Sequence, residues 1–274
     1  MMSEHTPRAL TIAGSDSGGG AGIQADLKAF ARCGVHGMSA LTAITAQSTI
    51  GVSLVHEVPP QVILAQVRAV AQDIGVDAVK VGMLGSAQAA RAVCEALDEL
   101  GDDISVVVDP VMVAESGATL LSADARRVLV TEVLPRASVI TPNLPEARAL
   151  MEAATGAVVA SEPEELAPAL LALGAGVVVI TGGHRPEAVD IFCDASGVVA
   201  IAGTRHPSGS AHGSGCTHSS VLAAQLALGH TPLQAARTAR KLAGEAVRDG
   251  LADVGKGAGP VDVLGLARGR AGVS

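Results

Sequence analysis

The residues with the clearest chemical potential lie in the stretch 206–228, where a turn of small residues runs directly into an apolar helix. The turn covers residues 208–215, and Cys216 follows it. The first N–H groups of a helix lack partners within the helix, and the helix dipole adds positive potential there. The turn is therefore a candidate anion site, and the same field would stabilise a thiolate at Cys216. The alternative is a hinge loop that contains an inert buried cysteine.

A second segment with chemical potential follows the first predicted strand, residues 8–14. It reads Ser-Asp-Ser-Gly-Gly-Gly-Ala-Gly over residues 15–22 and leads into a predicted helix. A strand, a glycine loop and a helix in this order form the architecture of many phosphate and small-molecule sites. The loop has neither the Gly-Lys-Ser/Thr ending of a P-loop nor the spacing of a dinucleotide loop. Its glycines alone also fit a generic flexible loop.

Polar residues stand at the ends of further predicted strands, where α/β proteins bind ligands. Asp109 ends the apolar run 102–110, and a carboxylate there is costly unless it is used or caps the next turn. Asn143 and Glu146 begin a predicted helix together. Their oxygens suit Mg²⁺ that is bound with the phosphates of ATP, and ordinary helix capping is the alternative.

Strands and helices alternate over the whole length of the chain. This pattern predicts an α/β fold, a three-layer αβα sandwich with a mostly parallel central sheet. We expect one domain over residues 1–274, with residues 1–7 disordered. The predicted strands are 8–14, 37–47, 77–82, 102–110, 176–180 and an antiparallel pair at 190–194 and 198–202, and the predicted helices include 60–73, 86–100, 163–173 and 231–249.

The composition limits the classes of function. The chain has 274 residues, a net charge of −8, 49% hydrophobic residues and 1% aromatic residues. This length and apolar content can bury a large core. A negatively charged chain with almost no aromatic side chains for base stacking argues against a nucleic-acid partner.

The cysteines and histidines bear on location and on metal binding. Cys33, Cys94, Cys193 and Cys216 are widely separated, which indicates free thiols in a reducing cytoplasm. No secretory signal is expected at the N-terminus, and the polar residues within the run 34–56 argue against a membrane span. The eight histidines show no metal-binding spacing, so we expect no protein-held transition metal.

Six strings of the sequence resemble motifs of the ribokinase-like kinases, in family order from residue 9 to about 261. They are GSDSGGGAGIQADLK, TAQST, KVGMLGS, DPVM, TPN-x-x-E and HGSGCT. The subgroup that carries cysteine in the last motif includes the hydroxymethylpyrimidine/phosphomethylpyrimidine kinases of thiamine biosynthesis and some pyridoxal kinases. The chain resembles the hydroxymethylpyrimidine/phosphomethylpyrimidine kinases. This resemblance implies a ribokinase-like fold and a cytoplasmic homodimer.

The resemblance also implies roles for individual residues. It implies ATP-dependent phosphorylation of an aminopyrimidine alcohol and of its monophosphate, with Cys216 taking or orienting the hydroxyl proton and an anion hole beside it. A carboxamide such as that of Gln47 suits the ring nitrogen and amino group of an aminopyrimidine. The implied residues are Gly213, Ser214, Gly215 and Cys216 for catalysis; Gly14, Asp26, Gln47, Met83 and Val111 for the pyrimidine; and Asp109, Asn143, Glu146, Thr181 and Gly182 for ATP, with Mg²⁺ held by Asp109, Asn143 and Glu146 directly or through water.

Three positions depart from the family pattern. Ser48 replaces a common asparagine, Glu115 has no explanation, and Asp262 stands where relatives carry a histidine near the substrate phosphate. The last change leaves the second phosphorylation open. Two alternatives also remain, a pyridoxal-type kinase and a pyrimidine-binding protein without catalysis; a cysteine hydrolase is disfavoured because His218 faces away from Cys216 on the helix.

Overall fold

The structure is a computed structural model that describes residues 5–113, 117, 120–158, 161–183, 188–206 and 210–270. Within these residues the chain forms a nine-stranded sheet with helices on both faces. The strands are β1 (Arg8–Asp16), β2 (His36–Ser48), β3 (Gly51–Glu57), β4 (Ala78–Val81), β5 (Ser105–Val108), β6 (Val139–Ile140), β7 (Val177–Ile180), β8 (Asp190–Asp194) and β9 (Gly197–Ile201).

The order of the strands creates a switch point in the sheet. The order is β3-β2-β1-β4-β5-β6-β7-β8-β9, and the six strands from β2 to β7 in this order run parallel. The chain winds from β1 towards β2 in one direction and from β4 onwards in the other. A crevice therefore opens at the carboxyl ends of β1 and β4, where ligands bind in such sheets.

The helices cover both faces of the sheet. They are α1 (Gly22–Arg32), α2 (Pro60–Asp73), α3 (Ala87–Leu100), α4 (Ala123–Val128), α5 (Leu144–Thr155), α6 (Pro163–Leu171), α7 (Ser214–Ala227), α8 (Pro232–Arg248) and α9 (Leu266–Arg270). One hydrophobic core lies between the sheet and α2 to α6, and a second lies between the sheet and α1, α7 and α8. Successive residues of a strand face opposite sides, so Val106 and Val108 enter the first core and Val107 the second.

The predicted α/β sandwich with a mostly parallel sheet is confirmed. The prediction missed β3, which pairs antiparallel with β2 as an edge strand. It also missed α4 and the π-helical turn Leu129–Val133 that continues it. The described residues begin at His5, whose imidazole lies 3.2 Å from the carboxylate of Asp77. Among the described helices, none is both long enough and apolar enough to cross a membrane.

Candidate active site

A cavity of about 400 Å³ opens at the carboxyl ends of the parallel strands, at the switch between β1 and β4. Every predicted site residue lines it except Asp26 and Gly182. The predicted residues that line it are Gly14, Gln47, Met83, Asp109, Val111, Asn143, Glu146, Thr181, Gly213, Ser214, Gly215 and Cys216.

The N-terminus of α7 forms one wall of the cavity. Gly213 caps the helix with φ +83, and a Cβ atom there would lie 1.8 Å from the carbonyl oxygen of Gly20. The N–H of Ser214 donates to the carbonyl of Ala211 at 2.9 Å, so it is already satisfied. Among the described residues, the N–H groups of Gly213, Gly215 and Cys216 have no such partner. The open donors therefore differ from the predicted set: Ser214 leaves it and Cys216 joins it.

The thiol of Cys216 lies in the first turn of α7 and is protonated at neutral pH. Burial raises its pKa to about 12, and the carboxylates of Asp26 and Asp109 act in the same direction. The ammonium group of Lys80 and a hydrogen bond from the Gly22 N–H lower the pKa, but they do not outweigh burial. The expectation of a thiolate stabilised by the helix is therefore wrong for the protein without ligands, because desolvation exceeds the effect of the helix terminus.

Gln47, Gly14 and Met83 form another part of the cavity lining. The Thr45 hydroxyl lies 2.8 Å from the Ser15 carbonyl oxygen and 3.1 Å from the Gln47 carboxamide oxygen, so its one proton is shared between these two acceptors. This arrangement leaves the NH₂ group of Gln47 for a ligand. A Cβ atom at Gly14 would lie 2.6 Å from the methyl carbon of Met83, so the thioether packs directly on the glycine backbone. These residues, together with Val111, form a narrow slot whose walls suit a small flat ring.

Asn143 and Glu146 form a reciprocal capping box at the start of α5. The Glu146 N–H donates to the Asn143 side chain, and the Asn143 N–H donates to the Glu146 carboxylate, both at 2.9 Å. Burial, together with the nearby Asp109 carboxylate, raises the pKa of Glu146 to about 8. Burial likewise raises the pKa of Asp109. Both carboxyl groups therefore resist ionisation. A bound cation would stabilise their ionised forms, and their oxygens could serve as its ligands.

Asp26 lies beneath the cavity rather than on its wall. Its carboxylate is fully buried and accepts hydrogen bonds from Lys80, Thr11 and Ser220 at 2.6 to 3.0 Å. All of these partners belong to the protein. The predicted contact between Asp26 and the pyrimidine is therefore corrected, because the side chain is already saturated by its own chain.

Gly182 also differs from its predicted role. Its N–H donates to the Asp190 carboxylate at 2.7 Å, and a Cβ atom there would lie 2.2 Å from the Val189 carbonyl oxygen. The glycine therefore allows the strand and the loop to approach each other, and its N–H is not free for phosphate. Thr181 lines the cavity, and so does Gly183, which follows Gly182 in the sequence.

Several residues around the cavity were not predicted from the sequence. Asp16 accepts hydrogen bonds from the N–H groups of Gly18, Gly20 and Ala21 and lies 3.1 Å from the His212 imidazole, so it orders the glycine loop. These donors hold the pKa of Asp16 below its usual range although burial acts to raise it. The contact between Asp16 and His212 has no local sequence signal, because the two residues lie 196 positions apart.

Three further residues form an acid–base cluster on α7, α8 and β8, and two of them line the cavity. The imidazole of His218 lies 3.1 Å from Asp190, and the Arg240 guanidinium lies 3.7 Å from the same carboxylate. Burial acts to raise the pKa of Asp190, but His218 and Arg240 hold it below its usual range. His218 and Arg240 line the cavity. They bring hydrogen-bond donors to the cavity.

Lys80 was also missed, although the sequence carries a signal for it. It stands between Val79 and Val81 in a strand that is buried on both faces, and it is itself fully buried. A charged residue in such a run is costly unless it is paired. Its ammonium group lies 2.9 Å from Asp26 and 4.0 Å from Asp109, and the side chain reaches the cavity.

Asp262, which departs from the family pattern, can be compared with the structure. Asp262 accepts hydrogen bonds from the N–H groups of Leu266 and Ala267 at 2.9 and 2.8 Å, so it caps α9. Among the described residues, the cavity lining does not include it. Glu115 lies outside the described residues, as does part of the predicted turn at 208–209.

A helix N-terminus with open N–H groups, facing carboxylates across a cavity at a sheet switch point, defines an α/β protein with a site for a phosphorylated ligand. The family described as phosphomethylpyrimidine kinase matches residues 16–262. The chain therefore belongs to the phosphomethylpyrimidine kinase family, and the predicted resemblance is confirmed.

Individual relatives agree with this assignment. The chain is 45% identical over 263 residues to a hydroxymethylpyrimidine/phosphomethylpyrimidine kinase of Rhizobium meliloti, covering 93% of this chain and 96% of the relative. It is 45% identical over 258 residues to a thiamine biosynthesis bifunctional protein of Geobacter sulfurreducens, covering 92% of this chain and 51% of that protein.

A solved structure confirms the ribokinase-like fold. The pyridoxal kinase of Staphylococcus aureus, in complex with AMP-PCP and pyridoxal, superposes with a TM-score of 0.84 at 31% identity and covers 96% of each chain. The sequence prediction of the fold is therefore correct over almost the whole chain.

Proposed function

We propose that the chain is a hydroxymethylpyrimidine/phosphomethylpyrimidine kinase of thiamine biosynthesis, which uses ATP to phosphorylate 4-amino-5-hydroxymethyl-2-methylpyrimidine and then its monophosphate. The observation that carries the proposal is one continuous cavity that is lined by Gln47, by Met83 and by the open N-terminus of α7. The names of the Rhizobium meliloti and Geobacter sulfurreducens relatives support the activity and the biosynthetic context.

The pyrimidine ring lies in the slot formed by Gly14, Gln47, Met83 and Val111. The NH₂ group of Gln47 donates to a ring nitrogen. The backbone of Gln47 is held by Ser17, whose hydroxyl donates to the Gln47 carbonyl oxygen at 2.7 Å and accepts from the Gln47 N–H at 2.8 Å. Met83 packs on one face of the ring, and Gly14 lets the backbone approach it. The hydroxymethyl group then points towards Cys216.

Cys216 orients the hydroxyl group rather than removing its proton beforehand. The thiol is protonated in the resting protein, since its pKa is raised to about 12 by burial. Its sulfur accepts a hydrogen bond from the substrate hydroxyl, whose oxygen attacks the γ-phosphorus as the bond to the ADP oxygen breaks. In a loose transition state the hydroxyl proton is lost late and passes to an oxygen of the transferred phosphoryl group, so positioning contributes more than base strength.

The N-terminus of α7 stabilises the charge that develops on the transferred phosphoryl group. The open N–H groups of Gly213, Gly215 and Cys216 support this role, and so does the glycine cap, which leaves them accessible. Donors fixed before the reaction do not reorganise during it, which is the main source of such stabilisation.

ATP occupies the end of the cavity near Thr181, His218 and Arg240. Two buried polar atoms support a polar ligand there, because the Oγ1 of Thr141 and the Nδ1 of His218 have no partner among the described residues. The AMP-PCP complex of the Staphylococcus aureus relative supports ATP as the phosphoryl donor.

Asp109, Glu146 and Asn143 would hold Mg²⁺ with the phosphates of ATP, directly or through water. Among the described residues, no group of three or more His, Cys, Asp or Glu side chains is arranged to hold a metal. The remaining ligands are therefore phosphate and water oxygens, as is usual for Mg²⁺. When bound, the ion neutralises charge between the β- and γ-phosphates.

A pyridoxal kinase is the second candidate, because the Staphylococcus aureus relative that binds pyridoxal shares the fold at 31% identity. The 45% identity to the Rhizobium meliloti pyrimidine kinase favours the aminopyrimidine. A pyrimidine-binding protein without catalysis would not require the open α7 N-terminus or the carboxylate pair.

A homodimer is part of the proposal. The edge strand β3 is largely exposed, and Leu54 and Val55 on it are 64% and 45% exposed. Ile44 on β2 and Ile50 in the connecting turn extend this apolar surface. An unpaired edge with exposed apolar side chains is a liability unless it is covered, and a second copy would cover it.

We also propose one kinase domain over residues 1–274 in the cytoplasm. The continuous nine-stranded sheet of the described residues supports a single domain. All four cysteines are free, which supports a reducing compartment.

The test is mass-resolved product analysis with Mg-ATP and, in separate reactions, the hydroxymethylpyrimidine, its monophosphate and pyridoxal. We expect the diphosphate from both pyrimidines. Monophosphate alone would restrict the chain to the first step, and product from pyridoxal alone would establish the second candidate. No product from any substrate, with pyrimidine binding retained, would leave only a binding protein.

A further inference from the structure

Lys80 is a buried cation that the proposed reaction has not yet used. It is 0% exposed, and its neighbours Val79 and Val81 are also fully buried. An ammonium group in such surroundings persists only with close counter-charges. Lys80 lies in the middle of the sheet, below the switch point, so the carboxylates that pair with it show which parts of the site it can affect.

The first counter-charge is Asp26 on α1. The Lys80 ammonium donates to both carboxylate oxygens of Asp26, at 2.9 and 3.0 Å. Thr11 on β1 and Ser220 on α7 donate to the same carboxylate at 2.6 and 2.7 Å. The ion pair therefore joins four elements beneath the cavity, and it fixes α7 at a point one turn beyond Cys216.

The second counter-charge is Asp109, whose carboxylate lies 4.0 Å from the Lys80 ammonium and accepts a hydrogen bond from Ser219 at 2.9 Å. The two bonds to Asp26 leave one N–H of the ammonium group for this side. Asp109, Lys80 and Cys216 all line the cavity. Lys80 thus brings a cation to the cavity in which the hydroxymethyl group, the sulfur and the phosphoryl group are proposed to meet.

The charges around Cys216 do not balance without Lys80. Asp26 and Asp109 both raise the pKa of the thiol, and Lys80 lowers it. The phosphoryl group that arrives beside the sulfur brings further negative charge, which these two carboxylates repel and the Lys80 ammonium group attracts. His218, further along α7, is directed to Asp190 instead.

We propose that Lys80 is a positioning residue for phosphoryl transfer, whose ammonium group offsets the carboxylates of Asp26 and Asp109 and so lets the negatively charged phosphoryl group approach the hydroxyl group beside Cys216. This role rests on the proposed kinase function. A lysine that only compensates the charge of Asp26 would become dispensable when Asp26 loses that charge. A lysine with the proposed role would still be needed.

The test compares Asp26→Asn with the double variant Lys80→Met/Asp26→Asn. Both lack the carboxylate and they differ only in the ammonium group. Two quantities are measured: kcat and KM for the pyrimidine, and the rate of iodoacetamide alkylation at Cys216, resolved by peptide mass spectrometry. Cys33, a partly exposed thiol, is the internal control for alkylation, and Lys241→Met on the surface of α8 is the control lysine variant.

We expect kcat of the double variant to be about 100-fold below that of Asp26→Asn, with KM within about threefold, as for the loss of one fixed electrostatic contact. Alkylation of Cys216 is expected to be about tenfold slower, the effect of one pKa unit. Alkylation of Cys33 and the activity of Lys241→Met stay at their reference values.

Equal kcat and equal Cys216 alkylation in the two variants would overturn the proposal. Should Asp26→Asn fail to fold, Asp26→Leu against Lys80→Met/Asp26→Leu gives the same contrast, because both variants again lack the carboxylate. The alkylation measurement needs no substrate, so it tests Lys80 even if the wild-type chain makes no pyrimidine product.

Discussion

The N-termini of α5 and α7 both border the cavity, but their first turns are completed in different ways. In α5, Asn143 and Glu146 bond each other's backbone N–H groups. In α7, Gly213 provides no side chain, and the N–H groups of Gly215 and Cys216 stay open among the described residues. A helix that satisfies its own donors presents carboxylates to the cavity, whereas one that does not presents N–H groups. The two ends therefore suit a cation and an anion, respectively.

The N-terminus of α8 provides a reference for this comparison. Thr231 and Gln234 form the same reciprocal capping box as in α5, but, within the part of the chain that the structure describes, neither residue lines the cavity. The box is therefore sufficient as a purely structural device. What distinguishes α5 is the position of its carboxylate beside Asp109.

The open end of α7 should be disrupted most strongly by Gly213→Ala. The substitution forces a φ of +83 on a residue with a side chain and places its Cβ 1.8 Å from the Gly20 carbonyl oxygen. We expect a loss of kcat of more than about 100-fold, because the N–H donors move away from their positions. The matched variant is Gly215→Ala, where a Cβ atom meets nothing within 4 Å. It should retain the wild-type Tm, and equal Tm losses in both variants would contradict the argument.

Cys216→Ala tests whether the sulfur acts in turnover rather than in binding. The thiol stands at the meeting point of the two ends, and we expect kcat to fall by about 100-fold or more while the Kd of the pyrimidine changes little. Calorimetric binding and steady-state kinetics measure the two quantities separately. An equal loss of binding and turnover would exclude the orienting role.

Glu146→Gln tests the self-capped end of α5 through pH. The folded protein raises the pKa of Glu146 from 4.5 to about 8, so the folded state holds this proton more tightly than the unfolded chain. The wild-type protein therefore loses stability as the pH rises from about 4.5 to 8, and the glutamine variant lacks this contribution. We expect the Tm difference, variant minus wild type, to increase between pH 5 and pH 8 without ligands.

The same variant separates the two roles of Glu146. Glutamine keeps an oxygen for the capping bond, so the helix start is retained, but the negative charge for Mg²⁺ is lost. We expect KM for Mg-ATP to rise at pH 8. A Tm difference that stays constant or falls with pH would show that Glu146 ionises normally in the folded protein.

The smallest expected effects compare Asn143→Ala with Thr231→Ala. Each removes an N-cap side chain, at a cost of about 1 kcal/mol in the free energy of unfolding. Only Asn143→Ala should also raise KM for Mg-ATP, since Thr231 lies on α8 away from the cavity. Urea denaturation and kinetics of both variants check this, and an ATP effect from Thr231→Ala would argue against a specific role for the α5 cap.

Local patterns predicted most of the fold and the open end of the site. The run DDISVVVDP predicts β5 because a short apolar segment between turn residues has few alternatives, and HGSGCT predicts the start of α7 because glycines precede an apolar helix. The strand β3 escaped prediction because its residues are exposed on both faces, so GVSLVHE carries no alternation.

The misplaced site residues depend on partners that are distant in the sequence. Asp26 looks like a ligand contact until Lys80, 54 positions later, occupies both of its oxygens. The protonation of Cys216 follows from burial and from nearby carboxylates, which no local motif encodes. For Asn143 and Glu146 the sequence allowed both helix capping and ligand binding. The structure is compatible with both, since the two side chains cap α5 and also line the cavity.

The contacts between the glycine loop and α7 bear on when the protein acquires its site during synthesis. The bonds Asp16–His212 and Asp26–Ser220 span 196 and 194 positions. Loop closure over such distances is slow and comes late in folding. The glycine loop leaves the ribosome long before its partner, so a nascent chain has no complete cavity until α7 has emerged. A substrate analogue should therefore stabilise the released chain against unfolding and leave the ribosome-bound fragment unaffected.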